Sequence, residues 1–348
     1  MSWHAVTMEA GNFAEVAHIV GFSKDGPRGE AFLSADLAKD VSNLMLLCRG
    51  CHDLVDKDPT NYTVHVLQDM KLAHEQRVEL VTGIAEEKKS HVLLYSANVG
   101  DHGPASTFQR AATAMSPDSY PAETYAISLG FSNSAIRDTD DDFWAIEQRN
   151  LTASLKERLR PRLARGGDIS HLAIFAVAPQ PLLMQLGFSL SDIPSAETFQ
   201  LHREPPGWKW RSHPPRSRFV VVEPTEIRGA PALVLSLSAS ISPERVKAVL
   251  GEDVTIWTLT VDEPHNDFLQ SRQQLKEFRE TVRPLLDLIK LKHGESSLLH
   301  VFPAMPVSTA VDFGRVLMAK ADLPIRVYDQ NRSKGGFVHA LDLVSSPL

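Results

Sequence analysis

The sequence predicts an α/β chain: a small strand–strand–helix module at the N-terminus, then two larger units in which strands and helices alternate. Three observations predict it. Ala14-Glu-Val-Ala-His-Ile19 and Asn43-Leu-Met-Leu-Leu-Cys48-Arg-Gly-Cys51-His52 place a histidine, an asparagine, a CxxC pair and a second histidine on two short apolar runs and the start of a helix. From His91 onward, nearly continuous apolar runs alternate with helical periodicity, the pattern of a mostly parallel sheet covered on both faces. Two of those runs end in proline-bearing turns, Pro179-Gln-Pro181 and Pro303-Ala-Met-Pro306.

In chain order, Phe13 to Val20 reads as a strand ending near His18, and Leu44 to Leu47 as a second strand opened by Asn43. Cys48 to Lys57 reads as the start of a helix carrying His52, and Val64 to Ile84 has helical spacing before the charged exit Glu86-Glu-Lys-Lys89. The expected division is 1–85 for the first domain, 86–90 for a linker and 91–348 for the second. His91 to Val99 then reads as a buried strand, Asp101 to Pro121 as a loop around one short helix, Thr124 to Phe131 as a strand and Phe143 to Leu163 as a long helix. His171 to Ala178 is a continuous apolar strand followed by a helix from Leu182 to Leu186, closed by Gly187. Strands are expected at Ala232 to Ser238 and Val254 to Val261, with a helix from Leu269 to Lys292. The motif repeats as the strand His300 to Pro306, the helix Val307 to Met318 and the strand Pro324 to Tyr328. The alternation reads as two Rossmann-like units.

The chain has 348 residues, 43% hydrophobic and 23% charged, enough for two or three globular domains. No apolar run approaches the roughly 20 residues that span a bilayer, so no membrane is expected and the location is expected to be cytoplasmic. A net charge of −7 does not favour nonspecific DNA affinity, which comes largely from Lys and Arg. A local basic face or assembly of several modules along a duplex would compensate.

The order His18, Asn43, His52 suits phosphodiester cleavage. Such chemistry needs a neutral imidazole to take a proton from water and a divalent cation to stabilise charge on the scissile phosphate. Asn43 plays a supporting part, its amide holding either the turn or the His18 imidazole. Residue 17 is Ala, which offers no metal ligand, and Glu15 is a substitute that strand alternation sets on the Ala17 side, opposite His18. Asp53 and Asp56 are further candidates, although carboxylates on a helix surface are common without a metal. Cys48 and Cys51 supply half of a structural zinc site. A shortened N-terminus, completion by His4 and another group, or no zinc at all are the alternatives. A disulfide is disfavoured by the lack of a signal peptide and of any other cysteine.

The two proline turns stand at C-terminal ends of strands and lead into helices, where open α/β sheets bind ligands and helix N-termini favour phosphates. Neither has GxGxxG or a Walker A loop, which argues against redox dinucleotides and ATP hydrolysis. Trp208 and Trp210 offer faces for stacking a base, or form a purely structural pair; Lys209 and Arg203 suit phosphate, and Gln180, Asn266 and Tyr328 suit base edges or ribose.

The His18, Asn43, CxxC and His52 pattern resembles the HNH endonuclease superfamily over about the first 80 residues. The resemblance implies a ββα-metal fold with His18 as general base, Asn43 as structural asparagine, His52 as ligand to a catalytic Mg²⁺ or another divalent cation, and Cys48 and Cys51 as ligands to a structural Zn²⁺. The two turns, Gln200-Leu-His-Arg203, Trp208-Lys-Trp210, Glu263-Pro-His-Asn-Asp267 and Arg326-Val-Tyr328 resemble a SAVED domain, two fused CARF-like units, over roughly residues 91 to 348. The whole resembles HNH–SAVED effector nucleases of bacterial cyclic-oligonucleotide antiphage defence. That implies a cyclic dinucleotide activator of the cyclic GMP-AMP type from a partner synthase, held by Gln180, Arg203, Trp208, Lys209, Trp210, Asn266, Pro303, Ala304, Met305, Pro306 and Tyr328. It also implies homo-oligomerisation, to a tetramer by analogy, and degradation of double-stranded DNA. The alternative is a nucleotide-binding sensor whose impaired HNH module binds DNA or a partner without cutting. A restriction-type enzyme with a DNA-reading second domain is opposed by the acidic balance.

Overall fold

The computed structural model describes residues 2–3, 10–11, 14–82, 88–98, 107–130, 136, 140, 142–164, 167–192, 194–215, 217–331 and 334–343. His4, Phe13, Ile84, Glu86, Glu87, Val99, Asp101 and Phe131, named in the expectations above, lie outside them. The chain divides into two compact units, 1–84 and 85–348.

In the N-terminal unit, β1 (Ser2–Trp3) pairs with β2 (Ala10–Gly11), and β3 (Ala14–His18) runs antiparallel to β4 (Leu44–Cys48) with His18 opposite Leu44. Between β3 and β4 lies the short α1 (Ser34–Leu37); β4 is followed by α2 (Arg49–Lys57) and α3 (Val64–Thr82). Ile19, Val55 and Leu67 form a small core that holds α2 and α3 to the hairpin.

The second unit opens with β5 (Lys89–Ser96), which starts inside the expected linker, then α4 (Phe108–Met115), β6 (Tyr120–Pro121) and β7 (Ile127–Leu129). A helix follows as α5 (Phe143–Ser154), five residues of π-helical pitch (Leu155–Leu159) and α6 (Arg160–Leu163), so the single helix expected there is continuous but locally widened. Next come β8 (Leu172–Val177), α7 (Gln180–Leu190) and β9 (Ala196–Thr198). These strands form a parallel sheet ordered β6-β5-β8-β9, with β7 also on β5.

A small hairpin, β10 (His202–Arg203) and β11 (Pro206–Gly207), leads to the second sheet. Its elements are β12 (Phe219–Val222), β13 (Ala230–Ser236), α8 (Pro243–Leu250), β14 (Val254–Val261), α9 (Arg272–His293), β15 (Leu299–Ala304), α10 (Val307–Val316), β16 (Ile325–Asn331) and β17 (Gly336–Asp342). The order is β12-β14-β13-β15-β16-β17, parallel in the middle, with antiparallel β12 and β17 at the edges.

The two sheets are built alike where it matters for a ligand. β8, Pro179 and α7 follow one another at the same spacing as β15, Pro306 and α10. Gly187 and Gly314 occupy equivalent places in the two helices, which pack against each other within one apolar core that also takes in Phe278 and Ile289 of α9. No helix among the described residues is long and apolar enough to cross a membrane.

Candidate ligand cavity and the N-terminal histidine cluster

A cavity of about 960 Å³ opens where the two strand–proline–helix turns meet. Pro179 and Pro306 are the N-cap residues of α7 and α10, and neither helix has a side-chain cap. With Pro179, Gln180, Pro306 and Val307 in the wall, two positive helix ends face the same space. Two glutamines fasten the turns together. Gln180 Oε1 accepts the Met305 N–H at 3.1 Å, and buried Gln200 Oε1 accepts from the Ser308 N–H at 3.2 Å and its hydroxyl at 2.8 Å.

The outer wall is a strap, residues 201–211, that contains the β10–β11 hairpin. Asp267 holds it, accepting the backbone N–H of Arg203 and of Glu204, each at 3.1 Å. Arg203 and Lys209 on the strap and Arg110 on α4 are exposed cations at the cavity wall, opposed there by one acid, Asp329. Asn266, beside Asp267, lines the same space.

Of the residues expected to meet a ligand, Gln180, Arg203, Trp208, Lys209, Asn266, Met305 and Pro306 line this cavity, and four do not. Pro303 and Ala304 lie within β15, opposite Leu235 and Ser236 of β13. Trp210 turns its indole N–H to Glu197 at 3.1 Å, and Tyr328 stacks on Phe302 at 4.4 Å with its hydroxyl 2.8 Å from His300 Nδ1. The segment carrying Trp208 and Trp210 is irregular, and Trp208 makes a T-shaped contact with Phe175 at 5.2 Å.

The reading from sequence omitted Gln109, Arg110 and Thr113 of α4, Gln200, His202, Asp329 and Gln330. Gln200 and His202 stood in a segment singled out for its resemblance, and Asp329 and Gln330 directly follow Tyr328. Nothing in the sequence marked α4. His202 and Trp208 are each 3% exposed, and among the described residues neither the two imidazole nitrogens nor the indole N–H has a partner. Burial pushes the His202 imidazole below the ordinary histidine range, so its ring is neutral near pH 7.

In the N-terminal unit the Asn43 carboxamide grips the chain just past His18. Its Oδ1 accepts the Val20 N–H at 2.7 Å, and its Nδ2 donates to the Val20 and Leu37 carbonyls at 3.0 and 3.2 Å. The amide therefore holds the turn, not the imidazole. His18 Nε2 lies 3.1 Å from the Ala38 carbonyl, which can only accept, so Nε2 donates, and in the neutral tautomer Nδ1 is the acceptor.

Ala17 is 1% exposed. Glu15, on the same strand face, extends its carboxylate to His52, with Oε2 2.9 Å from Nδ1, while Asp56 lies 3.5 Å from His52 Nε2. Asp56 is also held by Arg28 at 2.6 Å, and that buried guanidinium donates to the Ile19 and Val55 carbonyls as well. Asp53 faces Lys57 at 3.9 Å and takes no part. An imidazole beside a carboxylate is a donor set that divalent cations such as Mg²⁺ or Mn²⁺ accept, so the residues fit that ion. Cys48 and Cys51 are both free and exposed. The Cys51 N–H held to its sulfur lowers the Cys48 thiol below the ordinary range, while the neighbouring Cys48 raises that of Cys51. Two sulfurs make half of a tetrahedral zinc set, and among the described residues no further ligand joins them. Among the described residues, three ligand atoms lie close enough together to share one ion at His91, Glu123 and Asp168, where the Arg162 guanidinium already bridges the two carboxylates.

Residues 151–343, more than half of the chain, match the family described as SMODS-associated and fused to various effectors sensor domain. The chain belongs to the SAVED family. The SAVED match begins within α5, so it takes in the strap, both proline turns and the second sheet, and leaves β5 and α4 to its N-terminal side. Among solved structures, the Acinetobacter baumannii Cap4 SAVED/CARF-domain containing receptor with the cyclic trinucleotide 2'3'3'-cAAA is similar at 13% identity and a TM-score of 0.48, over 88% of this chain and 64% of that one. The same receptor with 3'3'3'-cAAA gives 14% and 0.47, over 86% and 57%. The Moraxella osloensis Cap4 receptor gives 14% and 0.45, over 82% and 54%. The chain thus spans less than two thirds of the length of these receptors. No curated protein matches it.

Proposed function

We propose that this SAVED protein is a DNA endonuclease switched on by a cyclic oligonucleotide in antiphage defence. The observation that carries the reading is the meeting of two uncapped helix N-termini, with Arg110, Arg203 and Lys209, on one cavity of about 960 Å³ in a sensor family. Helix ends and cations suit the phosphates of a cyclic nucleotide, and the neutral polar groups between them suit its bases. A cyclic dinucleotide of the cyclic GMP-AMP type, made by a partner synthase, is the activator expected from the resemblance.

In the N-terminal unit, His18 takes a proton from the attacking water at Nδ1. Asn43 keeps the chain beyond His18 in place. His52, with the Glu15 carboxylate, would hold the divalent cation; when bound, such an ion stabilises negative charge on the scissile phosphate and the leaving oxygen. A ligand shifts a resting protein only through differential affinity for its active form. Assembly of ligand-bound SAVED domains into an oligomer, a tetramer by analogy, supplies that form and pairs nuclease modules on the two strands of a duplex. Cys48 and Cys51 would hold a structural Zn²⁺ with ligands beyond the described residues.

A second reading is a sensor whose N-terminal module binds DNA or a partner without cutting, and two facts favour it: the Ala at position 17 and the presence of only two cysteines. Incubating plasmid with the protein and Mg²⁺, with and without a panel of cyclic di- and trinucleotides, separates the two. Cleavage that appears with one ligand and vanishes in His18→Ala is the expected result. Ligand binding without cleavage supports the sensor, and ligand-independent cleavage overturns the gating.

A further inference from the structure

We propose that His202 and Trp208 form a base-edge subsite in which a purine of the bound cyclic oligonucleotide takes the hydrogen bonds that both side chains lack. The proposal rests on the nucleotide reading of the cavity given above and adds to it which residues read the base.

Buried polar side-chain atoms without a partner are rare. Two such residues on one short strap, both in the wall of one cavity, point to a missing partner that arrives with the ligand. The Trp208 ring is 3% exposed and in T-shaped contact with Phe175 at 5.2 Å, so its faces are not open to a stacking base. What remains of Trp208 is its N–H, which can only donate. Neutral His202 brings one donor and one acceptor.

An anion does not match this set, because the imidazole lone pair would repel it; the exposed Arg110, Arg203 and Lys209 suit the phosphates. The Hoogsteen edge of a purine does match: N7 accepts from the indole N–H, and the adjoining N6 amino group or O6 meets the imidazole. A pyrimidine has no N7. The three nitrogens are shut off from solvent, so the base reaches them as the strap lifts, and the Asp267 clasp on the Arg203 and Glu204 backbone is the contact that resists.

The test is calorimetric titration of the full chain with 3′,3′-cyclic di-AMP, 3′,3′-cyclic GMP-AMP and 3′,3′,3′-cyclic tri-AMP, each beside its 7-deaza counterpart. Wild-type protein is expected to bind the natural ring at least tenfold more tightly than the 7-deaza ring. Trp208→Phe, which keeps an aromatic ring on Phe175, is expected to bind both with the weaker affinity. Equal binding of natural and 7-deaza rings by wild type overturns the subsite and leaves the nucleotide reading of the cavity standing. Losses from Trp208→Phe and from 7-deaza substitution that multiply overturn it too, because the indole then acts elsewhere. Binding of none of the three rings removes the nucleotide reading and the subsite with it.

Discussion

Gly187 and Gly314 stand back to back where α7 and α10 pack: a Cβ on Gly187 would overlap the Val311 carbonyl oxygen, and a Cβ on Gly314 the Met184 carbonyl oxygen. The contact is reciprocal, each glycine meeting the equivalent turn of the other helix. It sets the separation of the two helices whose N-termini face the cavity.

Gly187→Ala or Gly314→Ala is therefore expected to destabilise the second unit by about 3 kcal/mol, the upper end of the overpacking range, because backbone has little room to yield. Thermal unfolding should show a lower midpoint in either variant. Unchanged midpoints would mean the helices part freely.

Gln200→Leu removes the acceptor shared by the Ser308 N–H and hydroxyl, both buried. Leaving them unpaired is expected to cost about 1–3 kcal/mol, and to weaken cyclic-nucleotide binding because the α10 turn then keeps only the Gln180 hydrogen bond to the Met305 N–H of the two glutamine ties. Denaturant titration and calorimetry check the two effects.

His18→Ala and Asn43→Ala should fail in different ways. Loss of the general base is expected to slow ligand-activated plasmid cleavage by about 10²–10⁴-fold with the stability of the N-terminal unit retained. Loss of the Asn43 amide leaves the buried Val20 N–H and carbonyl unpaired and is expected to cost that unit about 2–4 kcal/mol. Unfolding curves measured beside cleavage rates separate the two.

Glu15→Gln removes a carboxylate charge beside His52. Cleavage at low Mg²⁺ should fall about tenfold and return as Mg²⁺ is raised. A loss that no Mg²⁺ concentration restores would place Glu15 in some other role.

Acidification should loosen the second unit. Burial lowers His91, His171, His202, His293 and His300 below the 6.5 of a free histidine. The unfolded chain then binds more protons than the folded one between the folded values and 6.5, so stability rises with pH across that window and is lost as pH falls through it. Glu147, whose carboxyl burial raises above 4.5, acts in the opposite sense, losing stability as pH rises above that value. With five groups against one, the unfolding midpoint should climb as pH rises toward 6.5; a falling curve would contradict the balance.

The parts legible from sequence are those where burial on both faces leaves a continuous apolar run. Val254 to Val261 has the predicted bounds, and β8 and β15 with their prolines are shifted by a residue or two. α7 runs from Gln180 to Leu190, well beyond the expected Leu186, because Gly187 continues the helix to approach α10 and does not cap it. α9 starts at Arg272 and not Leu269, because Ser271 and Gln274 close a capping box. The edge strands β12 and β17 were missed: β12 is an apolar run of four residues, Phe219 to Val222, short for a strand signal, and β17 is half exposed with no clean alternation. In the cavity, Arg203, Lys209 and Trp208 announced themselves, Arg110 and Asp329 did not, and Gln200 and His202 are set apart by their burial, which sequence does not display. Tyr328 looked like a ligand contact for its chemistry but is part of an aromatic stack.

The two halves of the cavity floor are near copies, yet only one half carries the strap, with His202 and Trp208. A floor of matched halves alone would accept a ring turned end for end equally well. If the strap reads a base as proposed, it breaks that degeneracy: a ring of unlike bases would have one preferred way round, and a ring of like bases would fill the reading position whichever way it enters.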